Sequence, residues 1–111
     1  MQYQLTGYYY AALAPGYRGK ILGEIDVDKD GSFKDKAISS CSEGKVKIEG
    51  KFVKRDGLTK LLFTEIGILE HETQKETKYY TKKRGSKNLR GTYKGHWDNG
   101  HRKEKVEISI F

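Results

Sequence analysis

The sequence predicts an all-β protein, an eight-stranded antiparallel up-and-down meander that closes into a small barrel and occupies residues 1–111 as one domain. Short segments of alternating apolar and polar residues run from Tyr3 to Phe111, and turns bearing Gly, Asp or Asn separate them. No segment shows the capped periodicity of a helix. Because an open meander exposes two edges, the pattern favours a closed barrel, and a flattened sandwich is the alternative it leaves open.

The first half of the chain contains four predicted strands. Pro15 and Gly16 end the first, an Asp-Lys-Asp-Gly turn ends the second, and a polar loop with the only cysteine ends the third. The fourth alternates without a fault, with Val46, Ile48 and Phe52 on one face and lysines and Glu49 on the other. The predicted strands are Tyr3 to Ala11, Gly19 to Val27, Ser32 to Ile38 and Lys45 to Val53.

The second half contains four more. The fifth is apolar on both faces over Leu61 to Phe63, and its β-branched and aromatic residues favour a strand over an uncapped helix. Arg55-Asp56-Gly57 precedes it, and Asn99-Gly100 supplies the positive φ angles expected of the last tight turn. The predicted strands are Leu58 to Leu69, Lys75 to Lys82, Leu89 to Trp97 and Lys103 to Phe111.

Strand parity predicts what the interior of the barrel holds. On the seventh strand Gly alternates with large side chains on one face, a pattern typical of a strand that bends round a barrel. On the first strand the inward face carries Tyr3, Leu5, Gly7 and Tyr9, while the sixth leaves Tyr79 and Tyr80 undecided. Buried phenol and indole groups need hydrogen-bond partners, so the interior is either a satisfied aromatic core or a ligand pocket.

The opening Leu5-Thr6-Gly7-Tyr8-Tyr9-Tyr10 and the eight-strand meander resemble the calycin group, which comprises lipocalins, fatty-acid-binding proteins and avidins. The Gly-x-Trp motif of lipocalins and avidins corresponds here to Gly7 and Tyr9. The resemblance implies a scaffold that binds a small molecule inside its barrel.

The preferred hypothesis is therefore a module that binds a small, partly apolar molecule. Glu65 shares the face of Leu61 and Phe63, and burial of its carboxyl would raise its pKa and make it a polar anchor. The sequence indicates no cofactor and no metal, and leaves a homo-oligomer open. The predicted ligand-binding residues are Tyr9, Glu65, Tyr79, Tyr93 and Trp97.

The alternative is a polyanion site, because the net charge is concentrated in one segment. Residues 75–94 contain eight basic residues and one acidic residue, while the rest of the chain is formally neutral. Such a segment attracts nucleic acid or an acidic protein, unless it is simply a solvated hairpin. The predicted contacts are Lys78, Lys82, Lys83, Arg84, Lys87, Arg90 and Lys94.

Other chemistry has weaker signals. An enzyme site at Glu65 or at His96 and His101 ranks last, since no motif names a reaction. Asp26, Asp28 and Asp30 resemble half of a calcium loop, but a hairpin turn is the better interpretation because the position for the bidentate Glu is Ala37. The lone Cys41 favours a reducing, cytoplasmic location, and the absence of a long apolar run favours a soluble, unprocessed chain without a membrane partner.

Overall fold

The computed structural model describes residues 1–10, 18–39, 44–67 and 76–111. Eight antiparallel strands pair in chain order, and the last pairs with the first to close a barrel. This confirms the predicted meander and rules out the flattened sandwich. The strands are β1 (Gln2–Tyr10), β2 (Arg18–Asp26), β3 (Ser32–Ser39), β4 (Gly44–Arg55), β5 (Leu58–Gly67), β6 (Glu76–Arg84), β7 (Gly91–Asp98) and β8 (Lys103–Ile110).

Turn chemistry explains two departures from the predicted boundaries. β4 and β5 remain paired up to Arg55 and Leu58, so the turn contains only Asp56 and Gly57, with φ of 53° and 75°. This is the tight turn with two positive φ angles. The predicted last hairpin forms and β8 begins at Lys103 as expected, but the predicted pair of positive φ angles is wrong, because only Gly100 has positive φ there and the loop spans four residues. The Asn99 side chain instead accepts hydrogen bonds from backbone N–H groups across the loop.

The start of the seventh strand was also predicted wrongly. β7 begins at Gly91 rather than at Leu89, and Leu89 lies in the β6–β7 connection, packed against the core. The Leu89 carbonyl accepts a hydrogen bond from the Tyr93 hydroxyl instead of from a neighbouring strand. The predicted ends at Ala11, Leu69 and Lys75 lie outside the described residues.

The inward parities of the first, fourth and seventh strands are confirmed. Aromatic rings contact one another through the barrel: Phe33 lies 5.7 Å from Phe52 and 6.3 Å from Phe63, and Phe52 lies 5.8 Å from Tyr93 between ring centroids. The open choice on β6 is also settled, with Tyr79 buried and Tyr80 40% exposed. The middle of the barrel is therefore a packed aromatic core.

The weakest seam of the wall lies between β2 and β3. Their ladder covers only Ile21 to Gly23 and Ala37 to Ser39. Beyond it the Asp35 carboxylate accepts a hydrogen bond from the Asp26 backbone N–H at 3.0 Å, in place of a backbone carbonyl. The Asp35 side chain thus provides the hydrogen-bond acceptor that links β2 to β3 beyond the end of their backbone ladder. Among the described residues there is no helix long and apolar enough to cross a membrane.

Candidate functional site

The barrel has two ends, and the predicted ligand-binding residues divide between them. We call the end where β1, β3, β5 and β7 finish the Glu65 end. All five predicted residues face inward and are buried. Tyr9, Glu65, Tyr79 and Trp97 lie in the half of the barrel towards the Glu65 end, whereas Tyr93 lies towards the opposite end, at the start of β7.

Tyr93 is engaged within the core, towards the opposite end of the barrel. Its hydroxyl donates to the Leu89 carbonyl at 2.6 Å, and the Lys83 ammonium lies 5.5 Å from its ring centroid. Burial raises the pKa of Tyr93 above its ordinary value. Because its polar group already has a partner and its ring packs on Phe52, Tyr93 does not join the other four residues in one site.

Tyr9 and Trp97 form one side of the Glu65 end. Their rings meet edge to face, with centroids 6.5 Å apart and an angle of 78°. The indole N–H of Trp97 donates to the Tyr10 carbonyl at 3.2 Å. The Tyr9 ring lies over Gly19, where an added Cβ would come within 1.8 Å of a ring carbon. Glycine at this position is what lets the ring lie flat against β2.

Glu65 provides the polar chemistry of the site. Its side chain is 3% exposed, and it faces into the barrel between Ile48 on β4 and Thr77 on β6. Burial raises the pKa of its carboxyl, while the nearby hydroxyls of Ser39 and Tyr79 act in the opposite direction by favouring the carboxylate. Tyr79 is held beside it by a stack on Phe63, with centroids 4.4 Å apart and planes 7° from parallel.

Two buried polar atoms at this end lack partners. Glu65 Oε1 and Ser39 Oγ form no hydrogen bond of normal geometry with any residue in the described part of the chain. Ser39 was missed by the sequence analysis, which ended the third strand at Ile38. The signal was available, because Ser39 continues the inward parity of Phe33 and Ala37.

The structure divides the predicted polyanion residues into two groups. Three are engaged within the protein: Lys83 Nζ donates to the carbonyls of Asn88 and Arg90, the Arg90 guanidinium lies 4.9 Å from the Tyr3 ring centroid, and Lys94 lies 3.8 Å from Glu107. The other group is exposed and forms no ion pair with an acidic residue in the described part of the chain. It comprises Lys78, Lys82, Arg84 and Lys87.

The other candidate groups do not converge. His96 stacks on Tyr80, and His101 is exposed in the β7–β8 turn. In the aspartate-rich turn, Asp30 accepts hydrogen bonds from the backbone and hydroxyl of Ser32, which confirms the hairpin interpretation. Within the described ranges no three His, Cys, Asp or Glu side chains form a metal-binding group. Cys41 lies outside those ranges.

No family model, curated protein or solved structure matches the chain. Chemically, the Glu65 end offers an acceptor, Glu65 Oε1, and a hydroxyl that can donate or accept, Ser39 Oγ, beside the aromatic faces of Tyr9, Tyr79 and Trp97. That combination suits a small molecule with an apolar body and a hydrogen-bond donor.

Proposed function

We propose that this protein is a calycin-type binding module that holds a small, partly apolar molecule at the Glu65 end of its barrel. The closed eight-stranded meander and the inward-facing Gly7 and Tyr9 of β1 support the calycin comparison. The observation that carries the proposal is Glu65 Oε1, which is buried and forms no hydrogen bond with the described residues, although the hydroxyls of Ser39 and Tyr79 lie near the carboxyl.

The chemistry of Glu65 indicates what kind of ligand fits. A buried acceptor left without a donor costs free energy of about 1–3 kcal/mol, and a donor supplied by a ligand removes that cost. An ammonium, hydroxyl or amide N–H is such a donor, whereas a ligand carboxylate brings like charge to the site. The expected ligand is therefore an amine or alcohol with an aromatic or aliphatic body.

The emission of Trp97, the only tryptophan, provides the test. 2-Phenylethylamine, 2-phenylethanol and phenylacetate share one apolar body and differ in the polar group. We expect the amine and the alcohol to change the emission saturably and phenylacetate to leave it unchanged.

The Glu65→Gln variant shows whether the carboxyl is responsible, with Glu49→Gln on the outer wall as the matched control. We expect the Glu65 variant to lose the preference for the amine and the alcohol over phenylacetate, and the Glu49 variant to behave as the unchanged protein. Absence of any saturable response, or the same ligand preference in the Glu65 variant, would overturn the proposal.

A further inference from the structure

A second feature lies on the outside of the barrel and has no part in the interior site. Leu62 on β5, Tyr80 on β6, His96 on β7 and Lys105 on β8 are successive cross-strand neighbours that form one row across the outer wall. The Tyr80 and His96 rings stack, with centroids 5.1 Å apart and planes 28° from parallel. Tyr80 remains 40% exposed, so an aromatic ring is presented to solvent on the outer wall of the barrel.

Lysines flank this row on both sides. Lys60, Lys82 and Lys94 are successive partners in the neighbouring row, and Lys78 and Lys103 belong to the row on the other side. We call Leu62, Tyr80, His96, Lys60, Lys78, Lys82, Lys94 and Lys105 the Tyr80 surface. Two acidic residues lie beside it. Asp98 is 3.9 Å from Lys103, and Glu107 is 3.8 Å from Lys94.

The arrangement of charge is unfavourable for the isolated protein. Lys82 lies directly opposite Lys60 on one side and Lys94 on the other, and like charges in such positions destabilise a sheet. Neither Lys60 nor Lys82 forms an ion pair with any residue that the structure describes. An anionic partner would remove this repulsion.

A groove extends the Tyr80 surface towards β1. It has a volume of about 760 Å³ and is lined by Tyr10, Lys94, Gly95, Lys105, Val106 and Glu107. Tyr10 is 37% exposed, so a second aromatic ring lies at the far side of the groove. Exposed rings therefore lie on both sides of Lys105 along the outer wall, with Tyr80 and His96 on one side and Tyr10 on the other.

We propose that the Tyr80 surface binds single-stranded nucleic acid. The lysines would contact backbone phosphates, and unpaired bases would stack on Tyr80 and His96, since every base has an aromatic face. A base inside a duplex is already stacked and cannot reach Tyr80, which favours single strands. An acidic protein would use the lysines and leave the exposed rings without a role.

Fluorescence anisotropy with labelled oligonucleotides tests this. Single strands of about 12 nucleotides match the site sizes of comparable binding surfaces. With four or five lysines on phosphates, the slope of log Kobs against log salt is expected to be about −3, at about −0.7 per contact. We expect weaker binding to the matching duplex and to polyglutamate. Binding that ignores salt, or equal affinity for polyglutamate or for the duplex, would overturn the proposal.

Variants separate stacking from charge. Tyr80→Ala is expected to weaken binding by about 5- to 150-fold, the equivalent of one lost stacking contact, while Tyr80→Phe retains binding. Lys60→Gln with Lys82→Gln removes two contacts and should make the salt slope shallower by about 1.4. The matched control is Lys34→Gln with Lys36→Gln on β3, on the opposite wall. Equal losses in both lysine pairs, or unchanged affinity in Tyr80→Ala, would show non-specific attraction and refute the assignment.

Two further measurements keep the test independent of folding and of the interior site. Tyr80 is exposed, so thermal melting should show that Tyr80→Ala remains folded. Glu65→Gln is expected to bind oligonucleotides as the unchanged protein does. An oligonucleotide affinity that falls with Glu65→Gln would contradict the placement of the site on the outer wall.

Discussion

Replacing Gly50 by alanine tests how closely β4 and β5 approach each other in the barrel wall. Gly50 faces inward on β4, opposite Phe63 on β5. A Cβ added there would lie 2.2 Å from the Leu62 carbonyl oxygen and 2.4 Å from Phe63 Cβ, where ordinary contacts are 3.4 Å or more. The nearest obstacle is backbone, so no side-chain rotation relieves the overlap, and the two strands must separate locally by about 1 Å.

The expected loss of stability follows from that separation. Overpacking costs about 1–3 kcal/mol, and weakening of two ladder hydrogen bonds, at about 1 kcal/mol each, costs about 2 kcal/mol more. Alanine recovers about 0.5–1 kcal/mol because it restricts the unfolded chain more than glycine does. The net expectation is a loss of about 2–4 kcal/mol, or a fall in Tm of about 8–16 °C for a domain of this size.

Gly57→Ala is the control, because no atom lies within 4 Å of its added Cβ and only its φ of 75° is unfavourable. We expect it to cost about 1–2 kcal/mol. Urea unfolding followed by Trp97 emission, together with calorimetry, measures both variants. A Gly50→Ala protein as stable as Gly57→Ala would refute the close approach of β4 and β5, and with it the tight curvature of the wall.

Two further predictions concern single side chains. Burial raises the folded-state pKa of Glu65 above 4.5, so the protonated carboxyl favours folding and that stability is lost as pH rises from 4.5 through the folded pKa. Glu65→Gln removes this pH dependence and is expected to be at least as stable as the unchanged protein at neutral pH. The gain is about 1.4 kcal/mol for each tenfold difference in the proton affinity of Glu65 between the folded and unfolded states. Urea unfolding across a range of pH measures the free energy of unfolding, and a pH profile parallel to that of the unchanged protein contradicts the prediction. Lys83→Met removes the donor to the carbonyls of Asn88 and Arg90, so it should cost about 1–2 kcal/mol of stability and leave oligonucleotide affinity unchanged, whereas the neighbouring Lys82→Gln should do the reverse. Loss of affinity in Lys83→Met would show that its ammonium leaves those carbonyls.

The candidate site was predictable where strand parity was clear. Glu65 was placed inside because it alternates with Leu61 and Phe63, and the structure buries all three. Tyr80 was left undecided, although it shares a face with Lys78 and Lys82, and lysines on a strand usually remain in water. Applying that rule would have predicted an exposed Tyr80.

The convergence of the site was not predictable in the same way. Parity places Tyr93 and Trp97 on the same face of β7, but it carries no information about their height in the barrel. The structure pairs Trp97 with Tyr79 and places Tyr93 opposite Ile108, nearer the other end. Height depends on the register between strands, and the described β6–β7 connection, residues 85–90, lies later in the chain than the predicted strand ends place it.

By itself the sequence determined the all-β class, the order of the strands and the inward face of most of them. These properties follow from a two-residue alternation and from local turn residues, which need no information from distant parts of the chain. Only the tertiary structure decided that β8 closes on β1, that Glu65 Oε1 is buried without a hydrogen bond to the described residues, and that Tyr80 and His96 stack between rows of lysines. Each of these depends on side chains brought together across strands, and the register that aligns them is a property of the whole barrel.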